Sequence, residues 1–194
     1  MVSIKQLKLL RESTGVSMSE CKKALEEAQG DIEGAKDILR KRGQTLAGKK
    51  NQRETSEGII ASYIHPNKKI GVLLDLACES DFVAKSEEFC NLGHEICLQV
   101  AAAEPSFVSS EDIPKEFIAR EKEIYREQFG TLGKPKSLAE QVIEGKLKKY
   151  KEDVSLLSQP WIKDNTKTVQ NLLEGCIAKV GENIIVKRFI RYEI

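Results

Sequence analysis

Covalent chemistry needs titratable or nucleophilic groups held together, and this chain offers few. It has two histidines, His65 and His94, in 194 residues. That leaves little material for general acid–base work. Carboxylates recur in adjacent pairs, Glu26 with Glu27 and Glu87 with Glu88. Adjacent pairs on a helix read as solvated faces, since neighbours in sequence do not share a side. A phosphate-cradling loop needs Gly-x-x-x-x-Gly-Lys followed by Ser or Thr. The nearest stretch, Gly130 to Lys134, lacks that spacing and runs into Pro135. Five cysteines, Cys21, Cys78, Cys90, Cys97 and Cys176, contain no Cys-x-x-Cys pair. An odd number in apolar contexts reads as core thiols in a reducing compartment, with no zinc-ligand spacing. The expectation is therefore a protein that is not an enzyme and needs neither metal nor cofactor.

One stretch suits recognition instead. In Glu79-Ser80-Asp81-Phe82-Val83 an aromatic follows an acidic residue, between a strand-like run and a helix-like one. Such loops on rigid scaffolds carry function. A second reading stays open: Ser80 or Asp81 caps a turn and Phe82 tucks under it.

Charge narrows the partners. Thirty-one basic residues face 30 acidic ones, for a net charge of +1. Nucleic-acid binders usually show a basic excess, so direct nucleic-acid binding is not expected. No apolar run approaches the roughly 20 residues that span a bilayer. The opening MVSIKQLKLLREST has no continuous apolar stretch and does not read as a secretory signal. A cytoplasmic protein without membrane contact is expected.

The elements that must position these residues follow from caps and periodicity. Ser3 with Gln6, and Ser17 with Glu20, have capping-box spacing. Asp31 suits a third cap, and Gly15, Gly30 and Gly43 suit helix stops. Three amphipathic helices over 1–43 form a small bundle, since none is long enough to be stable alone. Residues 44–57, with Lys49, Lys50 and Arg53, read as a linker or a solvated helix. Two β-branched runs, 58–65 and 69–78, flank Pro66-Asn67-Lys68 and read as a hairpin. Ser86 caps a helix to about Ala103, with Phe89, Leu92, Gly93, Ile96, Cys97 and Val100 on its buried side. Pro114 opens the next helix, a loop spans 130–136, and Ser137 with Glu140 caps another helix to about Tyr150. Residues 151–165 read as irregular. Asp164 or Asn165 then caps a helix over 166–179 stopped by Gly181, and a final strand ends the chain. The sum is an α+β fold: a three-helix module, then a core over 58–194 with an antiparallel sheet and packed helices.

Longer motifs now carry a resemblance. Residues 10–43, LRESTGVSMSECKKALEEAQGDIEGAKDILRKRG, resemble the ubiquitin-associated-like N-terminal module of the elongation factor Ts family. ESDFVAKSEEF at 79–89 is similar to that family's signature, with Ser80 where Thr is usual. EGKLKKYKEDVSLLSQPWIKDNTKTVQNLLEG at 144–175 and VGENIIVKRFIRYEI at 180–194 match as well. The resemblance covers nearly the whole chain in order. It implies a nucleotide-exchange factor for the GTPase elongation factor Tu. It implies that Asp81 and Phe82, with Ser80 and Val83, form a wedge between partner helices near the Mg²⁺ and phosphate site. It implies docking by the module through Leu10, Arg11, Thr14, Gly15, Met18, Cys21 and Lys22. The C-terminal part of the core would reach the partner's other domains. The chain has room for one core subdomain where longer relatives have two, so the resemblance implies a homodimer through the sheet. No cysteine lies near the C-terminus, so that dimer is expected to be noncovalent.

Two rivals predict different behaviour. An adaptor that binds a protein through the helical module alone would keep its partner when the core is deleted. An RNA-binding protein using Lys49, Lys50, Arg53, Lys148 and Lys149 would bind with steep salt dependence.

Overall fold

The caps read from sequence set the first helices. Ser3 Oγ accepts from Lys5 N–H while Gln6 reaches back to Ser3 N–H, opening α1 (Ile4–Thr14). Ser17 caps α2 (Met18–Glu27), and Asp31 caps α3 (Ile32–Lys50) through the amides of Glu33 and Gly34. In this computed structural model, residues 3–130 and 136–194 are described. Leu10, Cys21, Ala24, Leu25, Ala35 and Leu39 close the module's own small core.

Gly43 does not end the third helix, contrary to the stop expected there. The helix runs through it to Lys50. A Cβ at Gly43 would stand 3.4 Å from Ala178 Cβ. The missing side chain serves a close crossing with a later helix, and a glycine used for proximity looks in sequence like one used as a stop. Ala47, in the stretch expected to be a linker or a solvated helix, is buried in the main core.

The core begins with β1 (Glu57–Ile64) and β2 (Ile70–Cys78), an antiparallel hairpin. The last strand, β5 (Ile184–Glu193), pairs with β2, giving the order β1-β2-β5. Strand alternation sends Val72, Leu74, Leu76 and Val186 into the core and leaves Ile60, Leu73 and Ile190 outside. Between β2 and β5 lie a short helix α4 (Asp81–Ala84) and the long α5 (Glu87–Ala103), capped by Ser86 as expected. The expected buried stripe of α5 holds: Phe89, Leu92, Gly93, Ile96, Cys97 and Val100 are all buried.

Cys90 departs from the expectation of five core thiols. It is exposed, one position off that stripe, while the other four are buried. Burial pushes the Cys97 thiol up to about 11 and does the same for Cys176. These are unreactive thiols at neutral pH.

Helices α6 (Lys115–Gly130) and α7 (Lys136–Val154) pack on each other. The loop expected over 130–136 falls largely on residues 131–135, outside the described residues, as does the side chain of Ser137. Helix α7 runs past Tyr150 to Val154. The segment read as irregular holds a small hairpin, β3 (Pro160–Trp161) with β4 (Asp164–Thr168). Neither Asp164 nor Asn165 caps the next helix. Thr168 does, in a capping box with Asn171, so α8 is Val169–Val180. Asp164 is engaged elsewhere, bonded to Thr166 and Lys167 within its own strand. Gly181 ends α8 in the left-handed region at φ 77°, where glycine carries no Cβ penalty. Among the described residues no helix is long and apolar enough to cross a membrane.

Candidate functional site

The turn from β2 into α4 resolves the two readings of residues 79–83. Ser80 is the cap: its hydroxyl accepts from Val83 N–H at 3.4 Å. Phe82, however, does not tuck under. Its side chain is 83% exposed, on a four-residue helix whose Ala84 is buried. Val83 points back and packs on the core. A capped turn with its aromatic facing outward leaves apolar area uncovered, a feature that suits protein contact. Asp81 beside it pairs with Lys85 at 2.7 Å. The hydrogen bond from that ammonium, and then its charge, hold the Asp81 carboxyl below the usual aspartate range.

The turn is tied down from far along the chain. Glu182, directly after the Gly181 stop, accepts from Ser80 N–H at 3.0 Å and from the Ser80 hydroxyl at 2.6 Å. Glu79 returns the gesture, accepting from Asn183 N–H at 2.6 Å. The β2–β5 ladder ends at Cys78 opposite Ile184. Past that point the backbones are joined by side-chain carboxylates. Arg53 adds to the clasp, with its guanidinium on Glu79 at 3.4 Å and its carbonyl accepting from Asn183 Nδ2 at 2.9 Å. Lys50, at the end of α3, donates to the Gly181 carbonyl.

Glu182 and Asn183 are not expected at the site from sequence, and Glu79 and Arg53 serve here as a clasp, a role their sequence context does not suggest. Glu182 lies 102 positions from Ser80, so only strand pairing reveals it. One signal was available: a carboxylate and an amide immediately after a helix-ending glycine, at the head of a strand that must pair with the strand carrying the turn.

The expected docking residues divide by depth. Leu10 and Cys21 are fully buried in the module. The Leu10 carbonyl accepts from Thr14 Oγ1 at 2.7 Å, and Thr14 Oγ1 lies 3.8 Å from Cys21 Sγ. Arg11, Gly15, Met18 and Lys22 are exposed around the α1–α2 turn. Gly15 takes φ 69° as the left-handed stop of α1. The two sets of residues approach one another at the end of α8. A Cβ on Gly15 would stand 3.0 Å from Lys179 Cε, so the Lys179 side chain lies against that turn. Three residues on, Glu182 holds Ser80. Among the described residues no group of three or more His, Cys, Asp or Glu side chains could hold a metal ion.

The chain can now be set beside known proteins. The family model "Elongation factor TS" matches residues 17–194. Elongation factor Ts of Thermosipho melanesiensis is 55% identical over 194 residues, covering 100% of this chain and 99% of the relative. Elongation factor Ts of Thermotoga petrophila is 52% identical over 193 residues, covering 100% of this chain and 96% of the relative. Elongation factor Ts of Koribacter versatilis is 51% identical over 193 residues, covering 100% of this chain and 88% of the relative. Identity above half along the full length, on a fold that orders the same motifs around one clasped turn, places this chain in the elongation factor Ts family of translation elongation factors.

Proposed function

We propose that this cytoplasmic chain binds elongation factor Tu in its GDP form and promotes GDP release, with Asp81 and Phe82 as the wedge. One observation supports it most: Phe82 is exposed on a backbone fixed by Ser80, Glu182, Glu79 and Asn183. A rigidly mounted aromatic is what insertion between partner helices requires, because little ordering entropy remains to oppose it. The exposed part of the module turn, Arg11, Gly15, Met18 and Lys22, supplies a second contact near the same end of α8.

The energetics need both. GDP held at roughly nanomolar affinity represents about 12 kcal/mol. A factor that displaces it must bind the empty GTPase comparably well, which calls for an interface of roughly 2,000 Å² or more. By linkage, GDP weakens factor binding by the ratio in which the factor weakens GDP binding. The process is reversible and needs no active-site base.

The working form is proposed to be a homodimer. The outer sheet face carries Ile60, Leu73, Ile190 and Tyr192 uncovered. Exposed apolar side chains grouped on one face, here beside the Asp75–Arg188 ion pair, mark a contact surface, and β1 and β5 are the edges of the sheet beside it.

The test is release of a fluorescent GDP analogue from purified elongation factor Tu. The parent protein should accelerate it strongly. Phe82→Ala should lower the acceleration about 30-fold, the equivalent of a 2 kcal/mol hot spot. Undiminished acceleration by Phe82→Ala would move the mechanism to the module or the C-terminal contacts. No acceleration by the folded parent would overturn the exchange reading in favour of the adaptor.

A further inference from the structure

We infer that Glu182 is a positioning residue for the wedge: its carboxylate sets the backbone on which Phe82 is presented. The inference rests on the exchange reading above and goes beyond it by assigning a residue distant in sequence.

What fixes Phe82 is the chain beneath it. Its ring is almost wholly exposed, so its place is set by the backbone of residues 80–83 rather than by packing. That backbone leaves the sheet after Cys78, the last residue of the β2–β5 ladder. Two groups of Ser80, its N–H and its hydroxyl, both donate to the one carboxylate of Glu182. The same hydroxyl oxygen accepts from Val83 N–H and so caps α4. Glu182 thus orients the cap, and the cap orients the turn of helix that carries Phe82. A further bond from the Cys78 thiol reaches the Ser80 carbonyl at 3.2 Å, but it is a weak donor. Charge-assisted bonds to a carboxylate are roughly twice as strong as neutral ones.

Glu182 is itself held. It follows the left-handed Gly181 and precedes Asn183, whose amide is bonded to Glu79 and whose side chain is bonded to Arg53. The two carboxylates are exchanged across the strand ends, each accepting from the backbone beside the other. That arrangement fixes the angle between the turn and the sheet, as a single bond would not.

The test uses the full-length chain and the GDP-release assay, at a temperature where each variant is shown folded by circular dichroism. Glu182→Ala should lower the saturating rate of release about tenfold, the effect of losing about 1.4 kcal/mol of oriented contact. Glu182→Gln keeps one acceptor oxygen, is the safer variant to fold, and should lower it about threefold. The decisive comparison is with Phe82→Ala: adding either Glu182 substitution to it should cost nothing more, because no ring remains to be placed. Parent-like rates from a folded Glu182→Ala or Glu182→Gln variant overturn the inference. So does a full additional loss in the Phe82→Ala background, which would mark Glu182 as a separate contact or a general stabiliser. If Phe82→Ala alone exchanges like the parent, the wedge reading fails first, and the two failures are thereby told apart.

Discussion

Asp81 and Lys85 stand one helical turn apart, beside Phe82, and form a 2.7 Å ion pair. Both are solvent-facing, so the pair adds little to stability. Its effect is on protonation. The folded carboxyl titrates below its unfolded value, so the pairing is complete at neutral pH. It is lost only as acid takes the pH down through that lowered value. Carbon-13 NMR titration of the Asp81 carboxyl should therefore show a midpoint below the usual aspartate range. Lys85→Met should return it to that range. A parent midpoint already in the usual range would mean the pair is not formed in solution. Wedge function near neutral pH should accordingly be insensitive to this titration.

Elements are held to one another by groups that composition cannot reveal. Gln99 on α5 is 1% exposed. Its amide nitrogen donates to Gln159 Oε1 and to the Pro160 carbonyl, and its oxygen accepts from Ile162 N–H. One side chain thus fastens the β3–β4 hairpin to the long helix. Gln99→Leu fills the same space but strands those partners, and should lower unfolding stability by about 3 kcal/mol in urea. An unchanged denaturation midpoint would show that the hairpin does not rely on that amide. The hairpin is also where the sequence was least legible. Caps are local, so Ser3, Ser17, Asp31 and Ser86 could be read directly, and so could the α5 stripe and the β1–β2 pair. The 160–168 hairpin has almost no apolar alternation, and its order comes from a glutamine some 60 positions earlier. Gly43 misled for a related reason: whether a glycine ends a helix or admits a neighbour depends on Ala178, far away in sequence. The candidate site divides likewise. Ser80 as cap was visible and Phe82 was left between two readings, while the grip of Glu182 follows from the pairing of β2 with β5.

At the scale of the molecule, one sheet face carries apolar side chains that the described residues leave exposed. Leu73 lies at its centre, 47% exposed, with Ser62 opposite on β1 and Ile190 opposite on β5. A charge there should disrupt the proposed dimer without touching the core. Leu73→Glu is expected to sediment at the monomer mass at concentrations where the parent sediments at twice that mass, with unchanged circular dichroism. A parent that sediments as a monomer at tens of micromolar would rule the dimer out. The other large-scale feature is α3, which belongs to two cores at once. Its first half closes the module through Ala35 and Leu39, and Ala47 enters the main core. It is pinned along α8 at three heights: Arg40 to Asn171, Gly43 against Ala178, and Lys50 to Gly181. Successive residues of a helix turn by about 100°. Removing or adding one residue between Gly43 and Lys50 would throw the Lys50 pin out of phase with the Arg40 and Gly43 pins, so that the three could not engage together. Changes of chain length should therefore be tolerated in the surface connections of this fold and excluded from that short stretch of helix.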